Sequence, residues 1–160
     1  MKFHNGWLSV IFIFVALFAA ACGTAFINEK FDNGVKFVSK TADGLAIKGY
    51  DAVAYRTIDG AVQGKPEYEY AWKGAKWLFV SPENRERFAA SPETFEPEYG
   101  GFCAWSLSEG SVMEADPEVW KIVNGKLYLI QNDMVKEVWE KSEPSLIEKS
   151  NENWRQMMNK

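Results

Sequence analysis

One stretch decides the fold class: Val119-Trp120-Lys121-Ile122-Val123-Asn124-Gly125-Lys126-Leu127-Tyr128-Leu129-Ile130. Asn-Gly between two apolar runs is a strong β-hairpin signal, because both residues of the tight turn must accept positive φ. A second hairpin is predicted upstream. There, Tyr68-Glu69-Tyr70-Ala71-Trp72 alternates large aromatic residues, and Trp77-Leu78-Phe79-Val80 returns after Lys73-Gly74. Each hairpin is expected to bury one face.

Helix signals follow the first hairpin. Ser81-Pro82 and Ser91-Pro92 each combine a capping serine with a proline that the first helical position tolerates. The first of these helices is expected to turn Phe88 and Ala89 inward, and the second carries Phe95.

The rest of the chain predicts three more helices. A loop at Tyr99-Gly100-Gly101 precedes a helical stretch over residues 102–107, and a helix over about residues 133–141 follows the second hairpin. The last helix begins near Pro144. Six residues of the two terminal helices are expected to face inward: Val135, Val138, Trp139, Leu146, Ile147 and Trp154. The order predicts a single α+β domain in which two antiparallel hairpins form a small sheet packed with several helices.

The N-terminus has the pattern of an export signal over residues 1–21. Lys2 is followed by an apolar run and by Ala19-Ala20-Ala21, which suits signal cleavage. Cys22 then resembles the lipidated cysteine of a bacterial lipoprotein, so residues 22–45 are interpreted as a tether with a short entry strand over residues 35–38. Residues 46–160 would form the folded domain. A retained anchor helix and plain secretion after Ala21 are the alternatives.

Charge and histidine content exclude several classes of function. Of 18 basic and 22 acidic residues, only Lys2 lies in the leader, so the remaining chain has a formal charge of −5. That charge argues against a nucleic-acid partner, which requires a basic surface. The one histidine, His4, also lies in the leader. The mature chain therefore cannot use histidine as a catalytic base or zinc ligand, and we expect it not to be an enzyme.

Motif residues resemble those of the YHS domain, a short module associated with copper-transport and hydroxylase proteins. Five residues occupy the family's offsets: Phe79, Ser81, Phe88, Pro92 and Phe95. Gly49-Tyr50-Asp51-Ala52-Val53-Ala54-Tyr55 and Tyr99-Gly100-Gly101-Phe102-Cys103-Ala104 are similar to signatures of a longer, exported subfamily. The resemblance implies a binding or accessory module, with copper as the cofactor it suggests.

The same resemblance predicts that the metal site of the short YHS form is absent. Its cysteines correspond to Ala54, Val80 and Asn84 here. Alanine and valine offer no lone pair to a metal, and one amide oxygen is a poor ligand for a soft metal.

Cys103 is the main candidate for chemistry. It follows Gly100-Gly101 at the expected start of a helix, where exposed amides and the helix dipole favour a thiolate. It is therefore our candidate ligand for copper and our candidate redox-active thiol, which would form mixed disulfides because the domain has no second cysteine. The alternative is a buried cysteine packed between Phe102 and Trp105.

Other polar and aromatic residues have two readings each. Glu96 and Glu98 flank the Tyr99-Gly100-Gly101 loop and are expected to face Cys103 or a cation, unless they are ordinary solvated acids. Asp51 lies among apolar residues, which favours capping a turn or bonding buried amides. Seven aromatic residues of the motif blocks would line an apolar pocket or belong to the core: Tyr50, Tyr55, Trp72, Trp77, Tyr99, Phe102 and Trp105.

We therefore expect a non-catalytic envelope lipoprotein, anchored to the membrane through Cys22, whose domain binds a small ligand. The alternatives are a soft-metal binding protein and a redox-active protein, both using Cys103. The candidate ligand-binding residues are Tyr50, Asp51, Tyr55, Tyr99, Gly100, Gly101, Cys103 and Trp105. We expect the site to lie where five of them converge: Tyr50, Asp51, Tyr99, Gly100 and Cys103.

Overall fold

Nine of the ten helices and strands in the described residues follow the order that the sequence predicts, and the short helix Ala54–Thr57 is additional. The computed structural model describes residues 37–159. Its elements are α1 (Ala54–Thr57), β1 (Lys65–Trp72), β2 (Ala75–Phe79), α2 (Pro82–Ala90), α3 (Pro92–Phe95), α4 (Ala104–Ser108), β3 (Asp116–Val123), β4 (Lys126–Ile130), α5 (Asp133–Glu140) and α6 (Glu143–Met158). Short 3₁₀ turns lie at Ile47–Gly49 and Glu98–Gly101. The predicted α+β class is confirmed.

Both hairpins form at the predicted turns. Trp72 pairs with Ala75 across Lys73-Gly74, and Val123 pairs with Lys126 across Asn124-Gly125. All four turn residues have positive φ, between 48° and 75°, as a two-residue turn of this hand requires. Each hairpin forms a two-stranded antiparallel sheet of its own, β1-β2 and β3-β4. A register irregularity interrupts the pairing in the first half of β1 and of β3.

The helices begin where capping residues are available. Ser81 accepts a hydrogen bond from the Asn84 N–H at the start of α2, and Asn132 accepts one from the Val135 N–H at the start of α5. The expected inner face of α2 is partly wrong: Phe88 is buried, but Ala89 is exposed and Asn84 takes its place. These two buried residues are four apart, which is the spacing of one helix face.

Two further expectations about helices are corrected. Val138 of α5 is 51% exposed, because Trp139 takes the single fully buried position of that short helix. The helical stretch expected over residues 102–107 begins at Ala104, since Phe102 and Cys103 make isolated β-bridges to Glu114 and Leu129.

One hydrophobic core joins the two hairpins. The first hairpin contributes Trp77 and Phe79, and α2 contributes Phe88. The ring centroids of Trp77 and Phe79 lie 4.9 and 5.1 Å from the ring centroid of Phe88. The second hairpin and α5 add Leu129 and Trp139 to the same cluster. Helix α6 packs against α4, where the Ser150 hydroxyl donates to the Ala104 carbonyl and the Asn153 amide donates to the Leu107 carbonyl. This docking brings the C-terminal half of α6 beside the Glu98–Gly101 turn.

The N-terminal predictions fall mostly outside the described residues. The leader over residues 1–21, Cys22 and most of the tether lie there. Of the expected entry strand, Phe37 and Val38 are described and belong to no strand. Instead, the Ser39 N–H donates to the Gly100 carbonyl, which fastens this segment to the Glu98–Gly101 turn. Within residues 37–159, no helix has both the length and the apolar character required to span a membrane.

Candidate functional site

Asp51 is a fully buried carboxylate surrounded by hydrogen-bond donors. Its Oδ1 accepts from the backbone N–H groups of Val53 and Ala54, at 2.8 and 3.2 Å. Its Oδ2 accepts from the Val80 N–H at 2.9 Å and from the Asn84 side-chain amide at 2.7 Å. We name these five residues the Asp51 cluster. Four donors replace the water that burial removes from the carboxylate, so Asp51 has the structural role expected for it.

The Asp51 cluster also tests whether the residues fit the implied metal. Ala54, Val80 and Asn84, which the resemblance places at the ligand positions, all contact the one Asp51 carboxylate. The groups that they direct at this point are N–H donors, which hold an anion and repel a cation. The residues therefore do not fit a metal at this position. Across residues 37–159, no cluster of three or more His, Cys, Asp or Glu residues is placed to hold a metal ion.

Cys103 is sealed in the core. It is 0% exposed and belongs to the hydrophobic cluster of the two hairpins. It does not lie in the first turn of α4 but precedes it in an extended conformation, and its N–H donates to the Met113 carbonyl at 2.9 Å. Of the two alternatives, the structure has the buried cysteine. Copper binding and redox chemistry at Cys103 stay predictions, and either would require the core to open.

Tyr50 and Tyr55 face the beginning of β3. The Tyr50 hydroxyl donates to the Glu118 carboxylate at 2.7 Å, and this bond, with a smaller effect of burial, raises the pKa of Tyr50. The buried Tyr55 hydroxyl donates to the Pro117 carbonyl at 2.9 Å, and burial raises the pKa of Tyr55 strongly. The two side chains therefore anchor the first residues of β3.

The Tyr99-Gly100-Gly101 loop has an unusual backbone. All three residues have positive φ, at 58°, 63° and 86°. For a tyrosine this conformation costs about 1–2 kcal/mol and is maintained only where the surroundings impose it. The Tyr99 hydroxyl donates to the Asn151 side chain on α6 at 3.0 Å, and its buried ring packs on those of Tyr128 and Trp154.

Gly100 and Gly101 permit close approach of two other segments. A Cβ at Gly100 would overlap the Phe37 carbonyl, and a Cβ at Gly101 would lie 2.8 Å from Cγ2 of Ile47. Ser39 links the same segments, since its carbonyl accepts from the Ile47 N–H while its own N–H donates to Gly100.

A cleft of about 260 Å³ opens beside this loop. We name it the Tyr99 cleft. Its lining residues are Phe37, Lys73, Glu96, Pro97, Glu98, Tyr99, Gly100, Trp154 and Met158. Tyr99 and Gly100 are the two predicted site residues that line it. The expected convergence of these two with Tyr50, Asp51 and Cys103 is not seen in the cleft lining, because those three are held elsewhere by the contacts above.

The cleft carries an ion pair that is largely removed from solvent. The Lys73 ammonium contacts both oxygens of Glu96, and the two side chains are only 12% and 18% exposed. Lys73 also lies 5.2 Å from the ring centroid of Trp72. Removing two charges from water carries a cost that their mutual attraction only partly offsets, so such a pair is weak evidence for a purely stabilising role.

Glu98 is the second carboxylate at the cleft. It is 27% exposed and pairs with the more exposed Lys126 at 3.1 Å. Its charge adds to the effect of burial in raising the pKa of Tyr99 and of Tyr128.

Sequence reasoning missed Phe37, Lys73, Pro97 and Trp154 as site residues. The sequence predicts Lys73 in a hairpin turn and Trp154 on the core face of the last helix. The one available signal was the pair of acids around the Tyr99-Gly100-Gly101 loop, which predicted a polar edge there. Two predicted site residues, Gly101 and Trp105, are not among the lining residues of the cleft. Trp105 is half-buried on α4.

No family model, no curated protein and no solved structure matches this chain. The relation to the YHS domain therefore stays a prediction from the motif residues.

Proposed function

We propose that this protein is a non-catalytic envelope lipoprotein whose YHS-like domain binds a small ligand in the Tyr99 cleft. The cleft itself carries the proposal. It combines aromatic walls with a few polar groups at a strained turn, which is the usual composition of a ligand site. The absence of histidine from the mature sequence supports a binding function over a catalytic one.

The Asp51 cluster supports the YHS-like part of the proposal. Position 54 and the neighbouring positions 80 and 84 all contact one carboxylate, although the first lies at least 26 positions from the other two. This is the spatial relation that three ligands of one metal would need. In this chain a buried anion and its N–H donors would stabilise the scaffold in place of a cation and its ligands.

Binding is tested on the purified processed chain in detergent by two-dimensional NMR. A fragment set with cationic, anionic and neutral members should contain ligands that shift the signals of Gly100 and the Trp154 indole in a saturable way. Trp154→Leu should abolish the shifts of the Gly100 signal, whereas Trp105→Leu, which alters a tryptophan outside the cleft, should leave them. Absence of saturable shifts at the cleft from all three classes would refute the binding function.

Anchoring is tested separately in cells. Because one or two acyl chains attach a protein with about 0.8 kcal/mol per buried methylene, a lipidated chain should partition into the detergent phase. Cys22→Ser should release it or leave it unprocessed. A mature N-terminus that begins with unmodified Cys22 would contradict the anchor and leave the binding proposal intact.

A further inference from the structure

The aromatic walls of the Tyr99 cleft stand at steep angles to one another. The Phe37 ring makes an angle of 67° with the Trp154 ring, and the Tyr99 ring makes one of 65°, with centroids 6.5 and 6.1 Å away. The Trp154 ring is therefore steeply inclined to both of the other rings, and we call the space among the three side chains the Phe37–Tyr99–Trp154 corner. All three residues line the cleft. Several inclined aromatic rings around one small volume are also found in sites that enclose an organic cation.

The charges around the cleft add up to an excess of one carboxylate. Lys73, Glu96 and Glu98 are its charged lining residues. Lys73 and Glu96 neutralise each other, because the ammonium contacts both oxygens of the carboxylate. The negative charge of Glu98 then has no counter-charge among the lining residues. Its partner Lys126 does not line the cleft and is 55% exposed, so water screens that pair more strongly.

We propose that the Tyr99 cleft takes an organic cation, of the quaternary ammonium or alkylated amine class, with its charged head at the Phe37–Tyr99–Trp154 corner and near Glu98. This inference rests on the proposed function and specifies the ligand class. The quadrupole of each ring attracts a positive charge at its face, and the Glu98 carboxylate adds a direct Coulomb attraction.

Competing ligand classes fit the same surroundings less well. An anion would be repelled by the Glu98 carboxylate, and the Lys73 ammonium is already paired with Glu96. A neutral apolar ligand would gain the aromatic contact but nothing from Glu98. A cation gains from both, and its methyl groups can also contact Pro97 and Met158.

The test compares three probes with the same branched head: choline, its neutral isostere with carbon in place of nitrogen, and the anion pivalate. Each is titrated into the processed chain while the Gly100 and Trp154 signals are followed by NMR. Choline should give saturable shifts, the neutral isostere should bind more weakly, and pivalate should give none. Trp154→Leu should weaken choline binding about 2- to 30-fold, the range expected for one cation–π contact.

Two charge variants test the electrostatic part of the proposal, because opposite changes in choline affinity would not follow if Glu98 and Lys126 were only structural. Glu98→Gln should weaken choline binding, whereas Lys126→Gln, which frees the same carboxylate from its partner, should strengthen it. Glu148→Gln, an exposed acid on α6, is the matched control and should change neither. Because Trp154 also packs on Tyr99 and Phe102, the charge variants keep the test open if Trp154→Leu does not fold.

The failures are distinguishable. If the neutral isostere binds as tightly as choline, or if both charge variants leave choline affinity unchanged, the cation class is wrong and the cleft remains a ligand site. If pivalate binds best, the charge argument is reversed. Absence of shifts from all three probes overturns the cation inference, and the broader fragment set then decides whether the cleft binds anything.

Discussion

Asp51→Asn is the substitution that best tests how this domain is held together. The side chain keeps its size, but one of its two oxygens becomes an NH₂ group, which cannot accept a hydrogen bond. In the unsubstituted protein each oxygen of Asp51 accepts from two donors: Oδ1 from Val53 and Ala54, and Oδ2 from Val80 and Asn84. If the NH₂ group takes the place of Oδ1, the Val53 and Ala54 N–H groups lose their acceptor. If it takes the place of Oδ2, the Val80 N–H loses its acceptor, whereas the Asn84 amide can turn over and accept from the new NH₂ group.

The expected loss follows from that count. An unsatisfied buried donor costs about 1–3 kcal/mol, so one or two of them predict a loss of about 1–6 kcal/mol in the free energy of unfolding. Domains of this kind have about 5–15 kcal/mol in total, so the substitution removes a sizeable part of the stability. With a urea m-value of about 2 kcal/mol per molar, the midpoint should fall by about 0.5–3 M.

The assay is urea unfolding followed by tryptophan fluorescence, in a Cys22→Ser background that removes the second thiol. Asp59→Asn is the matched control, because Asp59 is exposed and has a positive φ that asparagine adopts as readily. Combining Asp51→Asn with Asn84→Asp should recover part of the loss, since a carboxylate at position 84 can accept both from the NH₂ group of residue 51 and from a second nearby donor. A loss below about 1 kcal/mol for Asp51→Asn with an unchanged m-value would refute the four-donor account.

Three further predictions concern the loop, the thiol and the response to pH. Gly100→Ala and Gly110→Ala both place a side chain at positive φ, at a cost of about 1–2 kcal/mol, but only a Cβ at Gly100 overlaps another segment. Gly100→Ala should therefore lower the melting temperature more, and equal losses would contradict the close approach. Cys103 should react with iodoacetamide only as fast as the core opens, and alkylation of the folded chain at the rate of a free thiol would show that it is accessible. Burial, with smaller effects of Glu98 and Glu143, raises the pKa of Tyr128 to about 12 from its ordinary value of 10.0, so the unfolded chain releases this proton first. The stability due to the protonated Tyr128 hydroxyl is complete below pH 10.0 and should be lost as the pH rises towards about 12. Tyr128→Phe should make the free energy of unfolding fall less over this pH range, as measured by urea unfolding at several alkaline pH values.

Local patterns predicted the elements of this fold well, for a local reason. The turns at Lys73-Gly74 and Asn124-Gly125, and the helix start at Ser81-Pro82, depend on φ preferences and capping bonds within a few residues. Such preferences act in any tertiary context. The buried role of Asp51 was also predictable, because a carboxylate in an apolar run needs nearby amides.

Surface exposure along a helix was harder to predict. Val138 and Ala89 have the spacing of inner residues and are nevertheless exposed, because periodicity defines a face without saying how much of it a neighbouring element covers. Asn84 had no apolar signal at all. Its burial depends on Asp51, which lies 33 positions away in sequence.

The sequence alone determined the class of fold, the turns, the absence of histidine beyond His4 and the predicted loss of the metal ligands. Tertiary structure decided where the site lies. Packing of α6 on α4 brings Trp154 to Tyr99, and the first hairpin turn brings Lys73 to Glu96. These contacts join residues 23 and 55 positions apart in the chain, and they form only when separate elements bury a common core. For the same reason Cys103, whose local sequence favours a reactive thiol, is a core residue of the folded domain.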